Sequence, residues 1–386
     1  MIHLNEKNSA GSAGRAGNLL IRADAGRQIG IGHLMRCMAL GKAWQDAGGD
    51  VIFLTAPDVG TKNILREKGI ESLGLASIPG SIEDALETAE AAGKAGADWV
   101  VADGYHFHSE YQKIIKDSGM NLLMVDDHRF CDRFYADIIL NQNLHACKYI
   151  YSHTEPYTRF LLGPSYILIR KEFERWRDWK REIPDRAEKI LITMGGSDPD
   201  NVTSKALDAL CLLEAPGVKS RIIIGPANPH HEMILKRIRD DARHIPEVSG
   251  PTPDISRQMA WADLAISAAG STCWELAYMG LPSIILVLAD NQEPIAAALD
   301  QSGISLNLGR HSQVSASKIA SSLSGLIHSR EIRSGMSSRG RNLIDGLGAK
   351  RVASVLMDGG LERTGELEGV FDKNSEDGNA DHLSCK

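Results

Sequence analysis

Short apolar runs rich in β-branched residues alternate with stretches of helical period along most of the chain, the pattern of strand–helix units that feed parallel sheets. The runs fall into two sets. The first predicts strands at residues 19–22, 51–55, 99–102, 122–125 and 138–140, and the second at 189–194, 221–224, 264–267, 283–288 and 304–308. Between the first two strands, Leu34, Cys37, Met38, Gly41 and Trp44 share one helical face, which predicts a helix from Gly32 to Ala47 stopped by Gly48-Gly49. Two α/β domains of doubly wound, Rossmann-like type follow, residues 18–183 and 184–356, facing one another across a cleft. Phe173 to Arg186, rich in Trp and charge and holding Pro184, reads as a linking helix and interdomain connection with the boundary near Ile183. Residues 1–17 and 357–386, poor in large apolar side chains, read as a disordered extension and a disordered acidic tail.

Composition narrows the function classes. The chain has 386 residues with 43 Lys and Arg against 50 Asp and Glu, a net charge of −7, which argues against a nucleic-acid binder that relies on clustered cations. No apolar run approaches the roughly 20 residues of a spanning helix, so no membrane span is expected. The first 17 residues lack the apolar core of a secretory signal, so a cytoplasmic location is expected. Six cysteines without a CxxC pair fit free thiols in a reducing compartment.

In doubly wound folds ligands bind at the carboxyl ends of the strands, so the chemistry belongs in strand-to-helix loops. The first such loop runs Arg22-Ala23-Asp24-Ala25-Gly26-Arg27-Gln28-Ile29-Gly30-Ile31-Gly32-His33. Gly30 and Gly32 permit close backbone approach at a helix start, where exposed N–H groups suit a phosphate. His33 stands at that terminus, where the helix dipole favours the neutral imidazole of a general base; a helix-capping histidine is the alternative. The spacing is not a full GxGxxG signature, because Met35 stands where its third glycine would be. In the second half, Gly195-Gly196-Ser197-Asp198 either admits a phosphate or makes a tight turn. Ser271 and Thr272 after Gly270 are placed to cap a helix whose first turn carries Glu275, within reach of a nucleotide ribose or paired with Thr272 in a capping box. Asp103-Gly104-Tyr105-His106, Asp126-Asp127-His128 and Asn141-Gln142-Asn143 end first-half strands, and Asn291-Gln292 follows a second-half one. Such convergence fits a hydroxyl- and amide-rich substrate such as a sugar. A metal held by His106, His108, Asp126 and His128 is the competing reading of part of that set, weakened by the absence of ligand-type spacing.

Taken in order, Arg22-Ala-Asp24, Gly30-Ile-Gly32-His33-Leu-Met-Arg36-Cys37, Asp103-Gly104-Tyr105, Asp126-Asp127, Asn141-Gln142, Gly163-Pro164-Ser-Tyr166, Gly195-Gly196-Ser197-Asp198, Gly270-Ser271-Thr272-Cys-Trp274-Glu275 and Asn291-Gln292 closely resemble the UDP-sugar hydrolases of pseudaminic acid biosynthesis. The resemblance runs from about residue 19 to about residue 308. It implies a GT-B fold similar to the glycosyltransferase that completes lipid II. It also implies hydrolysis of UDP-2,4-diacetamido-2,4,6-trideoxy-β-L-altropyranose to UDP and the free sugar, with no metal and no cofactor. His33 then activates water for attack on the anomeric carbon with inversion, and Glu275 holds the uridine ribose. Gly32, Arg22, Asp24, Tyr105, Asn141, Gln142, Gly196, Ser197, Gly270, Ser271, Thr272, Asn291 and Gln292 complete the expected substrate site, in a monomer whose partner is a UDP-activated diacetamido sugar. A glycosyltransferase or epimerase acting on a UDP-sugar, and a non-catalytic nucleotide-sugar binder, are the alternatives, because a fold of this kind does not by itself fix the reaction.

Overall fold

Two all-parallel sheets organise the chain. In the computed structural model, which describes residues 17–26, 30–240, 246–250, 252 and 254–359, the first sheet contains β1 (Asn18–Ala23), β2 (Asp50–Thr55), β3 (Glu71–Gly74), β4 (Ala97–Asp103), β5 (Asn121–Val125), β6 (Ile138–Asn141) and β7 (Arg159–Leu162), in the order β3-β2-β1-β4-β5-β6-β7. The second contains β8 (Lys189–Thr193), β9 (Lys219–Ile223), β10 (Glu247–Ser249), β11 (Leu264–Ala268), β12 (Ser283–Val287) and β13 (Ser305–Arg310), in the order β10-β9-β8-β11-β12-β13. The expected doubly wound α/β class is therefore observed, while the expected disordered extension (apart from Gly17) and the tail past residue 359 lie outside the described residues. So do Arg27, Gln28 and Ile29 of the first loop.

The central strands are buried over most of their length, and β6 and β12 over all of it, which is why they are legible as apolar runs. β3, β7 and β10 were not expected, and all three lie at sheet edges. Each is short and mostly not buried, so it carries little continuous apolar signal; β3 reads Glu-Ser-Leu-Gly and is largely exposed.

In each sheet the chain winds outward, then returns to the other side of its starting strand, from β3 to β4 beside β1 and from β10 to β11 beside β8. This reversal opens a crevice at the carboxyl ends of β1 and β4, and another at those of β8 and β11. The helix Gly32–Asp46, close to its predicted span, packs Leu34, Cys37, Met38 and Trp44 against Ile21, Phe53 and Val101.

Two boundaries differ from the sequence reading. No linking α-helix forms over 173–186; a 3₁₀ turn, Lys171–Trp176, is followed by non-helical chain. That segment is tied down instead by Arg181, which donates to the carbonyls of Met259, Ala262 and Met279, and by Arg341, which donates to those of Trp176 and Arg177. Ile167, Ile169 and Phe173 already pack in the second domain's core, well before Ile183. The last helix, Gly348–Met357, expected with the second domain, returns to the first. Its Val352, Ala353 and Leu356 join the cluster around Trp44 and Trp99, and Trp99 Nε1 donates to the Leu356 carbonyl at 3.0 Å. Among the described residues no helix is long and apolar enough to cross a membrane.

Candidate active site

The two crevices face one another and enclose a cavity of about 870 Å³. The first domain lines it with Gly32, His33, Arg36, Tyr105, Asp127, His128, Gln142 and Asn143. The second contributes Gly196, Ser197, Gly270, Ser271, Thr272, Glu275, Asn291 and Gln292, and the connecting segment adds Arg170 and Glu172. The domains touch at their glycine loops. A Cβ on Gly196 would stand 2.7 Å from Cγ1 of Ile31, and one on Gly32 would stand 3.2 Å from Oγ of Ser271.

His33 opens the helix after β1, and Asp103 ends β4, the strand hydrogen-bonded beside β1. The sheet therefore delivers the pair together. His33 Nδ1 lies 2.6 Å from Oδ1 of Asp103. A carboxylate only accepts, so Nδ1 carries a proton in this contact, and it is the neutral imidazole with its proton there that leaves the lone pair on Nε2. Among the described residues no hydrogen bond engages Nε2. Arg36, three residues along the same helix and on the same face as His33, donates Nε to Asp103 Oδ2 and Nη2 to Asp103 Oδ1, each at 2.7 Å, and Nη1 to Asp127 Oδ1 at 2.8 Å. Burial opposes ionisation of Asp103, but the Arg36 guanidinium and His33 outweigh it and hold the carboxyl at about 2. The same competition, won mainly by Arg36, holds Asp127 well below the usual carboxylate range. Burial, with the Asp127 charge, pushes the Tyr105 phenol up.

The helix Gly32–Asp46 has Ile31 at its N-cap and no side-chain cap, so its first-turn N–H groups have no side-chain partner from that residue at the cavity edge. The second expected helix start is weaker than the sequence reading had it. The helix Thr272–Tyr278 spans only seven residues, Ser271 makes no capping bond, and no capping box forms. Glu275 is instead gripped by Arg170, whose Nε and Nη2 reach its two carboxylate oxygens at 2.5 and 2.6 Å. Burial still raises the Glu275 carboxyl above its ordinary value, against the pull of Arg170. The Gly195-Gly196-Ser197 turn is fixed by Asp198, whose carboxylate accepts from the Val202 and Thr203 amides at 2.7 and 3.0 Å and so caps the next helix.

Three expected substrate-binding residues do not line the cavity. Arg22 is fully buried, with Nε and Nη2 on the Asp84 carboxylate at 3.0 and 2.9 Å and Nη1 on Asp24 at 2.5 Å. Asp24 also takes the Ala56 amide, so this pair braces the β1 and β2 ends rather than meeting a ligand. Asn141 is buried between the Tyr151 hydroxyl and the Asn143 amide. Strand-end position marks these residues in the sequence, but not which face of the strand end they occupy. Gln142 and Gln292 do reach the cavity, each with Oε1 already accepting a backbone N–H, from Leu168 and Leu288, at 2.9 Å. The histidines weighed as metal ligands are dispersed. His106 pairs with Asp24, His128 packs edge-on to Tyr105, and Asp126 takes the Arg129 amide and the Tyr151 hydroxyl. Among the described residues no cluster of three or more His, Cys, Asp or Glu is placed to hold a metal ion.

Arg36, Asp103, Asp127 and Arg170 were not among the expected site residues. The three-residue spacing from His33 could have found Arg36, and the two aspartates stand in strand-end motifs. Nothing local marks Arg170, which meets Glu275 across 105 positions.

Comparison with known proteins agrees with this two-domain fold. Residues 190–344 match the Glycosyltransferase family 28 C-terminal domain. The spore coat polysaccharide biosynthesis protein SpsG of Bacillus subtilis is 26% identical over 253 residues, 64% of this chain and 72% of that protein. The UDP-2,4-diacetamido-2,4,6-trideoxy-beta-L-altropyranose hydrolase of Campylobacter jejuni is 28% identical over 187 residues, 48% of this chain and 62% of that one. Among solved structures, Acinetobacter baumannii MurG superposes with a TM-score of 0.64 at 18% identity, covering 89% of this chain and 99% of that one. The chain has the two-domain GT-B fold.

Proposed function

We propose that the protein hydrolyses UDP-2,4-diacetamido-2,4,6-trideoxy-β-L-altropyranose, releasing UDP and the free sugar in pseudaminic acid biosynthesis. The observation that carries this reading is the His33–Asp103 pair, an imidazole held by a buried carboxylate at the edge of a cavity of nucleotide-sugar size. The name borne by the Campylobacter relative supports the choice of sugar.

In the proposed reaction Nε2 of His33 takes a proton from water while the water oxygen bonds to the anomeric carbon. The bond from that carbon to the diphosphate oxygen breaks, and UDP departs with the electron pair. Asp103 stabilises the imidazolium formed, as a carboxylate behind a catalytic histidine does elsewhere. The N–H groups at the start of the helix Gly32–Asp46 and the Gly195-Gly196-Ser197 loop meet the diphosphate, and Glu275 meets the ribose. UDP is a good leaving group, so positioning of water and stabilisation of phosphate charge are the main tasks.

The test is incubation with the UDP-diacetamido sugar in ¹⁸O-labelled water and excess EDTA, followed by NMR and mass spectrometry. The expected products are unlabelled UDP and labelled sugar, released first as the opposite anomer. Turnover only with an acceptor would reassign the protein to glycosyl transfer, UDP binding without turnover to a binding role, and label in UDP to attack at phosphorus.

A further inference from the structure

A single hydrogen-bonded chain joins the second domain to the catalytic imidazole. Asn291, in the turn after β12, donates Nδ2 to the Tyr105 hydroxyl at 3.0 Å. That hydroxyl donates to Asp127 Oδ2 at 2.9 Å, and Asp127 Oδ1 accepts from Arg36 Nη1 at 2.8 Å. The other two nitrogens of the guanidinium clamp Asp103, which holds His33 Nδ1. Arg36, Asp103 and Asp127 are all buried, so water does not screen these links. The first link of the chain crosses between the domains.

One contact in this network has two possible chemistries. Arg36 Nη2 lies 3.1 Å from His33 Nδ1. While Asp103 accepts the Nδ1 proton, this is an approach of two donors and forms no bond. If the guanidinium swings toward the ring, Nη2–H can instead donate to a bare Nδ1, and the ring proton then moves to Nε2, the atom that must accept a proton from water. The guanidinium is held away from that geometry at both ends, by Nε and Nη2 on Asp103 and by Nη1 on Asp127, and only the Asp127 hold is independent of the carboxylate that meets the ring. Asp127 is in turn oriented by Tyr105 and by Asn143 Nδ2 at 3.0 Å.

We propose that Asp127 and Tyr105 are positioning residues that keep His33 in the tautomer able to accept a proton, and that the contact of Asn291 with Tyr105 couples this to closure of the two domains. The inference rests on His33 as the base. It gives the Tyr105 hydroxyl a role beyond lining the sugar site, because both of its hydrogen bonds run to protein. It also explains why a charged pair as buried as Arg36 and Asp127 stands beside a cavity that has no need of it for packing.

The experiment combines ¹⁵N NMR of the histidine imidazoles with steady-state kinetics on the full chain. His33 resonances are assigned from their absence in His33→Asn. The variants are Asp127→Asn, Tyr105→Phe and Tyr105→Phe/Asn291→Ala; Tyr105→Phe loses only a hydroxyl and keeps the measurement possible should Asp127→Asn fail to fold. In wild type the proton is expected on Nδ1. In the variants the Nε2-protonated form is expected to grow, with kcat down by up to about a hundredfold and KM little changed. The double variant is expected to be no worse than Tyr105→Phe alone, because both changes cut one chain. An unchanged tautomer in Tyr105→Phe, or losses that add in the double variant, would overturn the proposal. The tautomer is read without substrate. A wild-type protein that turns over no UDP-sugar, with the tautomer shift still seen in its variants, would refute the hydrolase reading and leave the positioning chain standing.

Discussion

The carboxylate of Asp103 meets the imidazole of His33 at 2.6 Å although 70 positions separate them, because β1 and β4 are neighbours at the point where the first sheet reverses its winding. Asp103 accepts at the same time from Nε and Nη2, one edge of the Arg36 guanidinium. The His33 imidazole is thus held in a set of three side chains from two strand ends and one helix turn, and each can be tested separately.

Removing the imidazole is expected to remove the chemistry and spare the binding. His33→Ala or His33→Asn should lower kcat by about two to four orders of magnitude, the usual range for acid–base catalysis, with UDP affinity nearly intact by calorimetry. A variant within tenfold of wild type would take His33 out of the mechanism.

The acid stability of the fold should report the same network. Asp103 is held at about 2 against its ordinary 3.8, and Asp24 and Asp127 are held lower still. A carboxyl depressed in the folded state contributes its stability above the unfolded value and loses it as pH falls through the folded one. The Asp103 contribution is therefore expected to disappear between about pH 4 and about pH 2. Urea titrations across that range should show a steeper fall for wild type than for Asp103→Asn; parallel curves would mean that Asp103 is not depressed.

Glu275 is expected to carry nucleotide affinity. A hydrogen bond to a charged group is worth about 1.5–3 kcal/mol, so Glu275→Ala should weaken UDP binding about tenfold to a hundredfold, with Glu275→Gln in between. The alanine variant should also lose thermal stability, since it leaves the Arg170 guanidinium half-buried without its carboxylate. If both variants bind UDP as wild type does while stability falls, the Arg170–Glu275 pair is a structural tie and the nucleotide sits elsewhere.

Gly196 is expected to be intolerant of a side chain for a reason that lies in the other domain. Its Cβ would come within 2.7 Å of Ile31 Cγ1 and 3.3 Å of the Ile31 backbone nitrogen, so the two loops must separate. Gly196→Ala should reduce kcat/KM by about tenfold or more through misplacement of the His33 loop, with little change in melting temperature. Wild-type kinetics in this variant would show that the closed contact is not the reactive one.

The strands of both sheet centres, the helix after β1 and the glycine loops that line the cavity are legible in the chain. Their signals are local: burial on two faces demands continuous apolar runs, and a tight strand-to-helix turn demands glycine. The edge strands β3, β7 and β10 escape because each spans only three or four residues that are mostly not buried, whereas the fourth edge strand, β13, has six and is legible. The helix 348–357 has an ordinary amphipathic period, and period alone does not say which domain covers its apolar face.

The site shows the same division. Sequence by itself determined that His33, the Gly195-Gly196-Ser197 turn, Glu275 and Asn291 stand in strand-to-helix loops or the first helical turn after them, because position along a βα unit depends only on neighbouring residues. Only the tertiary structure decided that Arg22 and Asp24 turn to Asp84 and Ala56 instead of the cavity, that Arg170 rather than Thr272 is the partner of Glu275, and that Arg36 ties Asp127 to Asp103 behind His33. Those outcomes depend on strand order and on the packing of one domain against the other. Partners brought together from 32 to 105 positions apart leave no periodicity or spacing in the chain to announce them.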